Sequence, residues 1–231
     1  MGILSKIIWW DLKLLAKYKI LHVALFIAVS YTGIFLLFNL RGNEKVLTAL
    51  IFSDPTFMGF IFLGVMVLFE KSANTLQALV VTPIKIGQYL FSKAIALTLL
   101  TLIICFAMVF AAYGFRFHYG WFFLATFLSS VLFILLGFIG VARVKSFNQY
   151  IIVIPVFLAP AILPCLNFFG VTNTFWFYVI PTQASLLMFE AAFHSISTFD
   201  AIYSIVYLLV SIFVSYSIAK KSFVKNMIRG N

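Results

Sequence analysis

Six stretches of this chain, roughly 20–40, 54–69, 92–114, 120–142, 150–168 and 200–219, continue with almost no charge. A helix needs about 20 mostly apolar residues to cross the hydrocarbon of a bilayer. The backbone in lipid must also satisfy its own polar groups. Runs of this kind are therefore expected to be spanning helices, and the fold class is all-α: a polytopic membrane protein with six transmembrane helices. Composition agrees. Only 10% of the 231 residues are charged, where a soluble domain has roughly a quarter, and mean hydropathy is +1.14.

The net charge of +10 would suggest nucleic acid on a soluble protein. Here the basic residues sit at the ends of the apolar runs, where they set orientation instead. With the N-terminus inside, Lys6, Lys13, Lys17, Lys19, Lys71, Lys85, Lys93, Arg143, Lys145, Lys220, Lys221, Lys225 and Arg229 are inside, and only Arg41, Lys45 and Arg116 are outside. The bias predicts a multi-pass membrane protein with both termini cytoplasmic. The first apolar run lacks a small-residue cleavage site and reads as retained. Within the segment 169–198, a full crossing by 169–189 would put the four basic residues of the tail outside, against this bias. Thr172, Asn173, Thr174 and Pro181 interrupt it, so it is expected to dip into the outer leaflet and return. The whole chain, 1–231, reads as one transmembrane domain.

Enzyme chemistry finds little to work with. The acidic residues Asp11, Glu44, Asp54, Glu70, Glu190 and Asp200 form no paired motif, and the three histidines are far apart. Cys105 and Cys165 form no C-x-x-C pair. No P-loop, nucleophile elbow or zinc motif occurs. No catalytic, cofactor-binding or metal-binding residue is expected. A channel or proton-coupled carrier is the alternative, and it would be expected to hold ionisable groups mid-span. Asp54-Pro55 is read instead as a helix cap followed by proline at the first helical position.

Residues 1–19 read as an amphipathic interfacial helix. Ile3, Leu4, Ile7, Ile8, Leu14, Leu15 and Tyr18 share one face and Lys6, Lys13 and Lys17 another. Asp11 falls in the middle of the apolar face. A carboxylate there needs a partner, so both lipid anchoring and protein contact remain open for this helix. In the fifth span, Pro155, Pro160 and Pro164 remove backbone hydrogen bonds. That span is either a kinked structural helix or one whose freed carbonyls line a pathway.

The stretch "FEKSANTLQALVVTPI", 69–84, follows the second span. After Glu70-Lys71 it has no charge, but it offers Asn74, Thr75, Gln77 and Thr82. That is a neutral hydrogen-bonding surface suited to a protein partner rather than to anionic lipid. Thr82 would cap the next helix, with Pro83 at its first position.

These residues resemble the segment after the second span in the type-2 ABC transporter permease family. Glu70, Lys71, Thr75, Leu76, Leu79, Thr82 and Pro83 match; Asn74 stands where glycine is common and Gln77 where glutamate is common. The order of amphipathic helix, six spans and outer re-entrant segment ("IPTQASLLMFEAAF") is also similar. The resemblance implies the transmembrane subunit of an ATP-driven exporter in a bacterial plasma membrane, like small drug-export permeases. A second permease copy or a homologous permease would face it. Separate ATPase subunits would bind the ATP and Mg, with no cofactor in this chain and no nucleic acid. It implies that 70–84 is the coupling helix resting on the ATPase, together with the N-terminal helix and Asp11. It implies further that the second and fifth spans line the pathway, with Phe57, Phe62, Pro155, Pro160 and Pro164 as candidates. The substrate would be a small molecule, lipid or peptide, here a hydrophobic or amphipathic one.

Overall fold

The computed structural model describes residues 3–37, 44–76, 84–172 and 174–228. Among them all regular structure is helical, and six helices are long and apolar enough to cross a membrane. In chain order the α-helices are α1 (Ile3–Lys17), α2 (Ile20–Leu37), α3 (Glu44–Ser72), α4 (Ile86–Ala112), α5 (Tyr119–Val141), α6 (Phe147–Ile162), α7 (Pro164–Phe168), α8 (Pro181–Glu190) and α9 (Thr198–Phe223). A 3₁₀ turn, Phe175–Val179, precedes α8, and a π-helical turn, Val224–Ile228, follows α9.

Each expected span lies on one of these helices, with α6 and α7 together forming the fifth. The second begins ten residues earlier than expected. α3 runs from Glu44 through Pro55, which lies inside it. The reading of Asp54 as a cap is therefore corrected: Asp54 is an interior helix residue, 1% exposed. Pro55 leaves the Ile51 carbonyl without its helical donor, and the hydroxyls on either side bond the neighbouring carbonyls. Ser53 Oγ donates to the Leu50 carbonyl at 2.6 Å and Thr56 Oγ1 to that of Phe52 at 2.8 Å.

α3, α4 and α5 are mostly buried, while α2, α6 and α9 are mostly exposed. Apolar surfaces offer no hydrophobic preference for each other over lipid, so close packing of small residues has to hold such helices together. Gly137 of α5 shows this at the α3 crossing, where a Cβ would lie 2.9 Å from the Phe60 carbonyl oxygen. Gly64 shows it against α6. The ring of Tyr150 lies across it, stacks on Phe60 with centroids 5.7 Å apart, and its hydroxyl donates to the Phe60 carbonyl at 2.7 Å. The exposed faces of α2 and α9 present Phe26, Val29, Phe199, Val210 and Phe213, which suit acyl chains.

Both chain ends gather at one end of the bundle. α1 packs against the start of α4, and Phe223 at the end of α9 lies 5.2 Å from Tyr89 in the same turns of α4. At the opposite end, Tyr178 donates to Asp200 at 3.4 Å and the His118 amide to the Ala192 carbonyl at 2.8 Å. The segment between α7 and α9 thus starts and finishes at that far end. α8 is packed there against α3, α5 and α9, burying Thr182, Gln183, Ala184, Ser185, Leu186, Met188 and Phe189.

Candidate functional site

The end that holds both termini carries a buried ionic cluster. Lys93, in the second turn of α4, is fully buried and lies between two carboxylates, with Nζ 2.9 Å from Asp11 Oδ1 and 2.5 Å from Glu70 Oε1. Ser92 Oγ donates to Asp11 Oδ2 at 2.7 Å, and the Tyr89 hydroxyl to Glu70 Oε2 at 2.6 Å. The ammonium also lies 4.7 Å from the centre of the Tyr89 ring. One ammonium between two carboxylates leaves the cluster one negative charge. The extra hydrogen bonds from Ser92 and Tyr89 are what make such a buried arrangement tolerable.

Three elements meet here because each supplies what another lacks. α1 brings a carboxylate on an apolar face, the last turn of α3 brings Glu70, and the start of α4 brings Lys93, whose ammonium reaches both. Tyr18, just after α1, stacks on Phe69 with centroids 4.6 Å apart. Burial, reinforced by the nearby Glu70 carboxylate, raises the Tyr18 phenol above its ordinary value, so it stays neutral. Lys19 then turns the chain into α2 with a left-handed φ of 58°.

Asp11 and Glu70, both expected on the side of the ATPase, each pair with Lys93 of this chain, because it lies within reach and a lone buried carboxylate is costly. Lys93, Tyr89 and Ser92 were not expected as site residues. The signal was present in the misfit of Asp11 together with a lysine placed just inside an apolar run.

Beyond Glu70 the chain leaves α3 by a left-handed turn. Lys71 Nζ donates to the Val144 carbonyl at 3.3 Å, and Asn74 has a φ of 56°. Helices commonly end on such a residue, usually glycine and sometimes asparagine. This accounts for asparagine standing where the resembling segments have glycine. Thr75 Oγ1 donates to the Glu70 carbonyl at 2.8 Å, and Leu76 packs partly buried against the core. Gln77, Leu79, Thr82 and Pro83 lie outside the described residues.

The residues expected along a pathway do not share one environment. Phe62 and Pro164 are buried, Phe57 is half-buried, and Pro155 and Pro160 are exposed on α6. None lines either of two crevices near the far end. One lies between α2, α3 and α4, walled by Tyr31, Thr32, Phe35, Leu47, Leu50, Met108 and Ala112. The other is bordered by His118, Trp121, His194 and Ser195. Among the described residues no group of three or more His, Cys, Asp or Glu side chains is gathered as metal ligands would be.

A bundle of six apolar helices able to span a bilayer, with an ionic cluster joining its N-terminal helix to the ends of two spans, is the architecture of a multi-pass membrane protein. The chain belongs to the Fluoroquinolones export permease protein family, whose model matches residues 3–231. Two curated relatives, each a fluoroquinolones export permease protein from a strain of Mycobacterium tuberculosis, are 28% identical over 206 residues, covering 87% of this chain and 86% of theirs. Membership indicates a transport subunit with an export role rather than an enzyme.

Proposed function

We propose that this chain is the permease subunit of an ATP-driven exporter, working with a separate ATPase subunit and facing a second copy or a homologous permease. Its substrate is a hydrophobic or amphipathic small molecule, and the relatives' names make a fluoroquinolone-like compound the first to test. Both termini and the ionic cluster face the cytoplasm, in line with the Lys and Arg bias. Residues 70–84 and α1 bear on the ATPase. Asp11 and Glu70 contribute through the elements they join rather than by touching it. The segment with α8 is the re-entrant element on the outer side.

The observation that carries this reading is the cluster's position within a family of export permeases. Lys93 ties α1 and the last turn of α3 to one point on α4. A push on segment 70–84 therefore reaches three helices together, since breaking the tie would strand a buried charge. The closing of an ATPase dimer would act as such a push.

The test is co-expression with a candidate P-loop ATPase subunit from the same organism. ATP-dependent uptake of a fluoroquinolone into inverted vesicles and co-purification of the two proteins are expected. Leu79→Asp should leave the permease inserted and abolish both, because an unpaired carboxylate would be buried at the subunit contact. Uptake driven by a proton gradient without ATP would overturn the reading in favour of a carrier.

A further inference from the structure

Asp54 is not explained by the ionic cluster or by helix capping. It lies ten residues into a spanning helix and is 1% exposed. Among the described residues its Oδ1 has no hydrogen-bond partner, and its Oδ2 has only the Cys105 thiol, 3.7 Å away on α4. Both ion pairs seen among the described residues use Lys93, near the opposite end. A carboxyl kept for structure would have both oxygens bonded, because an unsatisfied one is costly in an apolar interior. This position therefore has an unmet demand for a cationic hydrogen-bond donor.

The surroundings offer such a donor a way in. On α3, Leu47, Leu50 and Asp54 follow at intervals of three and four and share a face; on α4 the same holds for Cys105, Met108 and Ala112. Leu47, Leu50, Met108 and Ala112 are walls of the crevice between α2, α3 and α4. Asp54 and Cys105 thus continue these faces inward from the crevice. Its other walls are Phe35, Tyr31 and Thr32. The crevice is apolar and only about 10 Å³ in volume, so it marks a seam where the helices must part to admit a guest, and the Tyr31 ring beside it can attract a cation on its way past. Further in, Thr101 and Thr98 carry hydroxyls on the same face of α4, and Thr98 Oγ1 is unpartnered.

We propose that Asp54 is a cation-recognition point, binding the ammonium group of an amphipathic substrate that enters between α2, α3 and α4. This rests on the export reading and narrows it to substrates with a basic amine. Parting of the three helices exposes the carboxyl, and the ammonium then supplies the charge and the donor that the described residues do not.

The test uses the full-length permease in lipid nanodiscs and measures binding by the compounds' own fluorescence. Ciprofloxacin, whose piperazine is protonated, is compared with its N-acetyl derivative, which has no ammonium but keeps every other group. Wild type is expected to bind ciprofloxacin at least tenfold more tightly. Asp54→Asn, nearly identical in shape, should lower ciprofloxacin binding to the level of the derivative and leave the derivative unchanged. Thr32→Lys, on the half-exposed crevice wall, should also remove the preference by supplying an internal ammonium. Equal binding of the two compounds by wild type, or a preference retained in both variants, overturns the proposal. Neither result touches the export reading, which stands or falls on ATP-dependent uptake into vesicles.

Discussion

Lys93 and Asp11 are 82 residues apart in sequence, yet their side chains meet at 2.9 Å in a site closed to solvent. This pair fixes the N-terminal helix to the bundle, and Glu70 shares the same ammonium.

Removing the ammonium should therefore be costly. Lys93→Met leaves two buried carboxylates without a counter-charge, for which a loss of about 3–5 kcal/mol is usual. Thermal unfolding of the purified permease should show a clear drop in melting temperature. Adding Asp11→Asn and Glu70→Gln to Lys93→Met should recover part of it, because those changes remove the stranded charges. An unchanged melting temperature in Lys93→Met would contradict the cluster.

Asn74 makes a finer test of how α3 ends. Its φ of 56° suits glycine at least as well as asparagine, so Asn74→Gly should retain transport and ATPase association. Asn74→Val forces a β-branched residue into the left-handed region at a cost of about 1–2 kcal/mol. It should misdirect the segment that follows and lower ATP-dependent uptake, with membrane insertion unchanged. Equal uptake by the two variants would show that the turn does not position that segment.

Gly64→Ala should destabilise the protein strongly, since the new Cβ would lie 2.0 Å from the Tyr150 ring. That ring is anchored at both the Phe60 carbonyl and the Phe60 ring and has little freedom to move. The double variant Gly64→Ala with Tyr150→Leu should be more stable than Gly64→Ala alone, as read by thermal unfolding. Independent, additive losses would mean that the two residues do not touch.

Sidedness can be read by labelling. A cysteine at Lys221 should react only with reagent added from the cytoplasmic side, and one at Asn43 only from outside. Cysteine-free background is needed for both, with Cys105 and Cys165 replaced by alanine. Reaction of both positions from the same side would break the six-span arrangement.

Long apolar runs determined the helices without help from packing. A spanning segment has one way to satisfy its backbone, so length and lack of charge were enough to place all six. The start of α3 was misplaced because Asp-Pro is a cap signal in water, whereas here the helix runs on through a buried, closely packed Pro55. Asp11 was visible as a misfit, but its partner was not, since nothing local links it to a lysine 82 residues away. Which carboxylate is neutralised and which is left unpaired is a property of helix faces meeting in three dimensions. Tertiary packing alone brought Lys93 to Asp11 and Glu70, and left Asp54 with only a thiol beside it.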